Sequence, residues 1–117
     1  MVPKLILING QSAAGKSSVG RILLNDLSNS AYIGVDAIMS VNPFGINDKV
    51  DAVATKNLVS LVNNYSEEGY RYIIVSGFMR NQKLLDDFLS KVSIKIDVLF
   101  VWLRAPKEVR SKRRLKR

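Results

Sequence analysis

The sequence contains no cysteine and no histidine. The first absence excludes a disulfide scaffold, a Cys-ligated zinc site and a thiol nucleophile. The second excludes histidine metal ligands and any triad built on an imidazole base. No apolar run approaches the roughly 20 residues that a membrane span requires. The apolar stretch after Met1-Val2-Pro3-Lys4 is too short for a signal peptide, and cleavage there would fall inside a Gly-rich motif. What remains is a chain of 117 residues, 47% apolar and 24% charged. That mix excludes disorder as the default, and the length suits a single domain, 1–117, with one core. The chain reads as a soluble, cytoplasmic protein with no membrane partner.

Charge is unevenly placed. The net charge is +8, yet residues 104–117 carry eight bases against Glu108 alone, while residues 1–103 are close to neutral. Such a segment is either a solvated tail or a surface that faces phosphates, of a nucleotide or of a nucleic acid.

Strand and helix signals alternate. Lys4 to Asn9 holds four consecutive aliphatics, the pattern of a strand buried on both faces. Gly15 to Leu27 places Val19, Ile22, Leu23 and Leu27 at helical spacing. Ala31 to Val35 is a short second strand. Residues 36–47 read as a loop, with a helical turn near Ile38–Val41. Asp48 to Tyr65 is a long helix ended by Glu67-Glu68-Gly69. Tyr72 to Val75 is a third strand, Asn81 to Val92 a helix and Asp97 to Leu103 a fourth strand. Pro106 suits the first turn of a last helix. The alternation predicts an α/β domain, a parallel sheet joined by right-handed crossovers.

Between the first strand and the first helix stands Gly10-Gln11-Ser12-Ala13-Ala14-Gly15-Lys16-Ser17. This is the full phosphate-loop pattern in its required context. Glycines let the backbone wrap an anion closely, and the wrapped N–H groups form a nest at a helix N-terminus. Lys16 supplies a mobile cation for the β- and γ-phosphates, and Ser17 a hydroxyl for Mg²⁺. ATP and Mg²⁺ are therefore the expected ligands.

Three further places carry candidate chemistry. Asp36 follows the second strand, where a parallel sheet presents its ligand edge. Its carboxylate either takes a proton from an acceptor hydroxyl or holds a metal-bound water, or else merely caps the next turn. Ser76, after the third strand, stands where phosphate-loop proteins commonly carry an Asp, and it could reach a metal through water, without charge. Phe44, Phe78 and Arg80 are candidate acceptor-binding residues, Arg80 having a solvated helix start as its plain alternative. Finally Arg110, Arg113, Arg114 and Arg117 share one helical face. They either neutralise a moving phosphoryl group or belong to a solvated terminal helix. Trp102 is assigned to core or surface packing.

Leu7 to Ser18, with Tyr32-Ile33-Gly34-Val35-Asp36, resembles the chloramphenicol phosphotransferase-like branch of the small phosphate-loop kinases. Phe100 to Val109, with the spaced arginines beyond, looks like the strand and lid helix of such kinases. The resemblance covers most of the chain. It implies a three-layer phosphate-loop NTPase fold of the nucleoside-monophosphate-kinase kind. It implies Gly10 to Ser18 as the nucleotide cradle, Asp36 as the base, and Arg110, Arg113, Arg114 and Arg117 as lid residues. Two departures stand out. Ser76 replaces the frequent Asp, and the sequence ends after the fourth strand and the start of a lid, where the family continues with a fifth strand and a closing helix. A fragment, a disrupted product, or completion of the sheet by a partner chain are the expectations that follow, with an apolar edge at the fourth strand favouring homo-oligomers.

The leading expectation is an ATP-dependent phosphotransferase acting on a small hydroxyl compound. A nucleotide-binding module without turnover is the alternative of another class. A nucleotide or nucleic-acid kinase ranks last, because the body lacks interleaved basic and aromatic residues.

Overall fold

The computed structural model describes residues 2–10, 15–77, 81–92 and 95–103. In chain order these form β1 (Lys4–Gly10), α1 (Lys16–Asp26), β2 (Ser30–Gly34), a 3₁₀ helix (Val35–Ile38), α2 (Asp48–Glu67), β3 (Tyr72–Ser76), α3 (Gln82–Lys91) and β4 (Asp97–Leu103). The four strands make one parallel sheet in the order β2-β3-β1-β4. This is the expected α/β architecture, with β2 separated from β1 by β3.

Strand alternation splits the core into two layers. On one face, Leu5, Leu7, Ile33, Ile73 and Val75 pack against Ala54, Leu58 and Val62 of α2 and Phe88 of α3. On the other, Ile6, Ile8 and Ile74 meet Val19, Leu23 and Leu27 of α1. Helices on both faces explain why β1 and β3 read as unbroken apolar runs.

Element ends follow local chemistry. Asn47 and Asn81 cap α2 and α3, accepting hydrogen bonds from the amides of Val50 (3.0 Å) and Leu84 (2.9 Å). Gly69 at φ 86° turns the chain out of α2. Helix α1 starts at Lys16, one residue later than expected, because Gly15 is its left-handed cap at φ 88°. Strand β2 ends at Gly34, and the helical turn lies at Val35–Ile38 rather than Ile38–Val41. Val35 is buried and apolar, so it reads as strand, yet its backbone already bends into the turn. The helix expected after Pro106 lies outside the described residues.

Tyr32 lodges between α1 and the sheet. Its phenol and the Ser76 hydroxyl are 2.6 Å apart. A β-carbon at Gly20 would overlap Tyr32 Cε1 and lie 3.0 Å from Cδ1. Ala at position 20 gains about 1 kcal/mol of helix propensity but overpacks this slot, which typically costs about 1–3 kcal/mol. Gly20→Ala is therefore expected to lower the urea midpoint. A midpoint at or above that of the wild type would show that the ring yields without cost.

β4 is an edge strand among the described residues. Val98, Leu99, Phe100 and Trp102 are all exposed along it. No helix among the described residues is long and apolar enough to cross a membrane.

Candidate functional site

The carboxyl ends of the parallel strands all point the same way, and a ligand crevice forms beyond them. Here that crevice is a cleft of about 720 Å³. Gly10 and Lys16 line it from the phosphate loop, Asp36 from the 3₁₀ turn after β2, and Phe44 from the loop that follows. Four sequence-predicted residues from three separate segments thus meet around one space.

Gly10 sits where the loop leaves β1, at φ 151°. A β-carbon there would overlap the Leu103 carbonyl oxygen of β4. Glycine at this position therefore serves two ends: a turn L-side chains resist, and a close approach of two backbones. Lys16 opens α1, and its Nζ donates to the Gly10 carbonyl at 2.8 Å. The ammonium thus spans the mouth of the loop. Gln11, Ser12, Ala13 and Ala14 lie outside the described residues.

Asp36 is exposed on the 3₁₀ turn. Gly34 is the N-cap of that turn, with no side-chain cap, so Asp36 does not serve as its cap. The turn is tied down from both ends. Val35 and Met39 are buried in the α2-side core, and Asn57 Nδ2 of α2 donates to the Ile38 carbonyl at 3.2 Å. A rigid turn thus presents a carboxylate to solvent at the sheet's ligand edge.

A second cleft of about 450 Å³ adjoins this residue from the α1 side. Ser17 lines it, and Asp36 borders both spaces. Ser17 and Ser18 are both exposed at the start of α1. The donor set is hard oxygen: a hydroxyl and a carboxylate. Among the described residues no group of three or more acidic side chains forms a cation cage. A hydroxyl and a carboxylate are oxygen ligands of the kind Mg²⁺ takes beside substrate phosphates and waters.

Ser76 is placed apart from the two clefts. It is buried, its hydroxyl is committed to the Tyr32 phenol, and it lines neither cleft. Phe78, Arg80, Arg110, Arg113, Arg114 and Arg117 lie outside the described residues.

Sequence reasoning missed Trp102. Assigned to packing, it is 48% exposed and lines the larger cleft beside Asn9, its register partner on β1. The available signal was its place at the C-terminal end of a parallel strand. It also missed Met39, Ile46 and Asp51, which line the same cleft. Nothing in their spacing marks them, since their meeting depends on how α2 docks on the sheet.

A family model for chloramphenicol phosphotransferase-like proteins matches residues 3–117. No curated protein matches the sequence. Among solved structures, a chain of the Pnkp1/Rnl/Hen1 RNA repair complex is similar at TM-score 0.78 and 20% identity, over 98% of this chain and 37% of that one. A sugar kinase from Janibacter sp. HTCC2649 is similar at TM-score 0.73 and 19% identity, over 98% of this chain and 68% of that one. A gluconokinase from Sinorhizobium meliloti 1021 gives TM-score 0.73 and 19% identity, over 98% of this chain and 65% of that one. The chain spans less than two thirds of the first and third of these. Likeness at such identities establishes the fold, which is that of the phosphate-loop kinases. Together with the matched family model, it places the chain among the chloramphenicol phosphotransferase-like proteins, a branch of the small phosphate-loop kinases.

Proposed function

We propose that this protein transfers the γ-phosphoryl group of ATP to a hydroxyl of a small molecule. The observation that carries the reading is that Lys16 and Asp36 line one cleft across the strand ends. A cation for the donor and a carboxylate for the acceptor thus face a shared space.

The residues divide the work as follows. Gly10 to Ser18 wrap the triphosphate, with backbone N–H groups and the α1 dipole directed at it. Lys16 exchanges its hydrogen bond to the Gly10 carbonyl for phosphate oxygens. Ser17 would hold Mg²⁺, which when bound offsets charge on the phosphates. Asp36 accepts the proton of the acceptor hydroxyl. That oxygen forms a bond to the γ-phosphorus as the bond to the ADP oxygen breaks, and ADP leaves with the electron pair. Arg110, Arg113 and Arg114 are proposed to neutralise the moving group, Arg117 flanking them. Phe44, Phe78 and Arg80 are proposed to contact the acceptor.

The sugar kinase and gluconokinase likenesses support a small acceptor. The likeness to a chain of an RNA repair complex makes a single-stranded RNA with a free hydroxyl end a necessary member of the acceptor panel. The test is ADP release from Mg·ATP with each acceptor, against the no-acceptor blank. Release above the blank, with a phosphorylated product, is expected for at least one small hydroxyl compound. Mg·ATP binding with equal release in every case would support the alternative of a nucleotide-binding module.

A further inference from the structure

We propose that Asn57 is a positioning residue for Asp36; the proposal rests on the kinase reading, in which Asp36 takes the acceptor proton. The side-chain amide of Asn57 donates twice, to the Ile38 carbonyl at 3.2 Å and to the Met39 sulfur at 3.6 Å. Both acceptors lie at the end of the 3₁₀ turn that carries Asp36. Asn57 itself lines neither cleft. It therefore acts through the turn and not by touching substrate.

Val50, Ala54, Asn57, Leu61 and Tyr65 recur along α2 at helical spacing and form one stripe. Val50 and Ala54 line the larger cleft, and Leu61 and Tyr65 line the smaller one. Asn57 is the polar residue between the two pairs. The 3₁₀ turn likewise divides the two spaces, because Asp36 borders both. Asn57 thus pins to α2 the partition on which Asp36 sits.

The last carbonyls of a helix find no partner within it. Ile38 is the last residue of a 3₁₀ helix only four residues long, and the Asn57 amide supplies a donor to its carbonyl. So short a turn has no length over which to absorb a shift, and a displacement of Ile38 is passed on to Asp36. Burial of Val35 and Met39 holds the turn to the core, but apolar contact is non-directional. The two hydrogen bonds from Asn57 fix the direction in which the turn presents its carboxylate. A misplacement of about 1 Å at a reacting group is enough to slow chemistry severely.

Asn57→Leu keeps the bulk of the side chain and removes both donors. Hydrogen exchange over residues 35–39, read by mass spectrometry, is expected to quicken by about tenfold, while exchange in β1 and β3 stays as in the wild type. ADP release from Mg·ATP is followed with water and with glycerol as acceptors, the acceptor oxygen bonding to the γ-phosphorus and its proton passing to Asp36. The variant should lower kcat by about tenfold and leave KM for Mg·ATP within about twofold. In an Asp36→Asn background the same substitution should cost less than about twofold, since the group it positions is no longer a base. Asn57→Asp, which keeps the shape and cannot donate, is the second variant should urea unfolding show that Asn57→Leu does not fold. Unchanged exchange over 35–39, or an unchanged kcat, overturns the positioning role and leaves the kinase reading standing. So does a tenfold loss that persists in Asp36→Asn, which marks a general loss of structure. If Asp36→Asn keeps the wild-type rate, or the wild type releases no ADP with either acceptor, the kinase reading of Asp36 fails and the positioning role fails with it.

Discussion

Asp36→Asn is expected to lower acceptor-dependent phosphoryl transfer by about 10²- to 10⁴-fold, the usual contribution of a positioned general base. The substitution keeps the size of the side chain and removes only its ability to take a proton. It leaves the turn intact, because Val35, Met39 and the Asn57 hydrogen bond to Ile38 hold that turn without help from the carboxylate. Mg·ATP affinity should change by no more than a few fold, since the proposed phosphate contacts come from the end of β1 and the start of α1. The measurement is the initial rate of product formation, set beside calorimetric binding of Mg·ATP. A rate within tenfold of the wild type, with nucleotide binding unchanged, would remove Asp36 from the base role. A matching loss of nucleotide affinity would move its action to the metal, consistent with its place beside the cleft of Ser17.

The second large effect is on the donor. Lys16→Ala should weaken Mg·ATP binding by about 10- to 150-fold, the loss of one strong charge-assisted hydrogen-bonding group. Mg·ADP should lose less, because the γ-phosphate contacts go first. The half-buried ammonium donates only to the Gly10 carbonyl among the described residues, and that oxygen can turn to water when the amine is removed. Unfolding should therefore shift by no more than about 1 kcal/mol. Equal affinities for Mg·ATP in wild type and variant would show that the loop does not bind the nucleotide.

The parts of this molecule written in local sequence were legible without coordinates. The Gly10–Ser17 spacing, the four aliphatics of β1 and the bounds of β4 each depend on a few neighbouring residues, and each was read correctly in kind. The place of Asp36 at the cleft was legible because its position just past a strand end is itself a local fact. The rest depends on tertiary placement. Four apolar parallel strands look alike in hydropathy, so nothing local says that β3, not β2, lies beside β1. Val35 is apolar and buried and so extends the apparent strand, although the backbone has already turned. The hydrogen bond of Ser76 to Tyr32 was not legible, because the two residues are 44 positions apart in sequence. Trp102 read as packing because hydrophobicity alone does not separate a core face from a cleft wall.

The central position of β1 also bears on how the chain is made. Its first residue, Lys4, pairs with Tyr72 on one side and Asp97 on the other. Of the described strands β1 is the first to be synthesised, and neither of these neighbours exists when it emerges. At about 5–20 residues per second, the Leu5–Ile8 segment waits several seconds for β3 and longer for β4. During that interval its unpaired backbone and fully apolar side chains are exposed to other nascent chains. The phosphate loop hangs from the end of this strand, so the nucleotide cradle is assembled only once nearly the whole described chain has left the ribosome. Premature termination upstream of Asp97 would therefore leave the loop sequence complete and its supporting sheet unfinished.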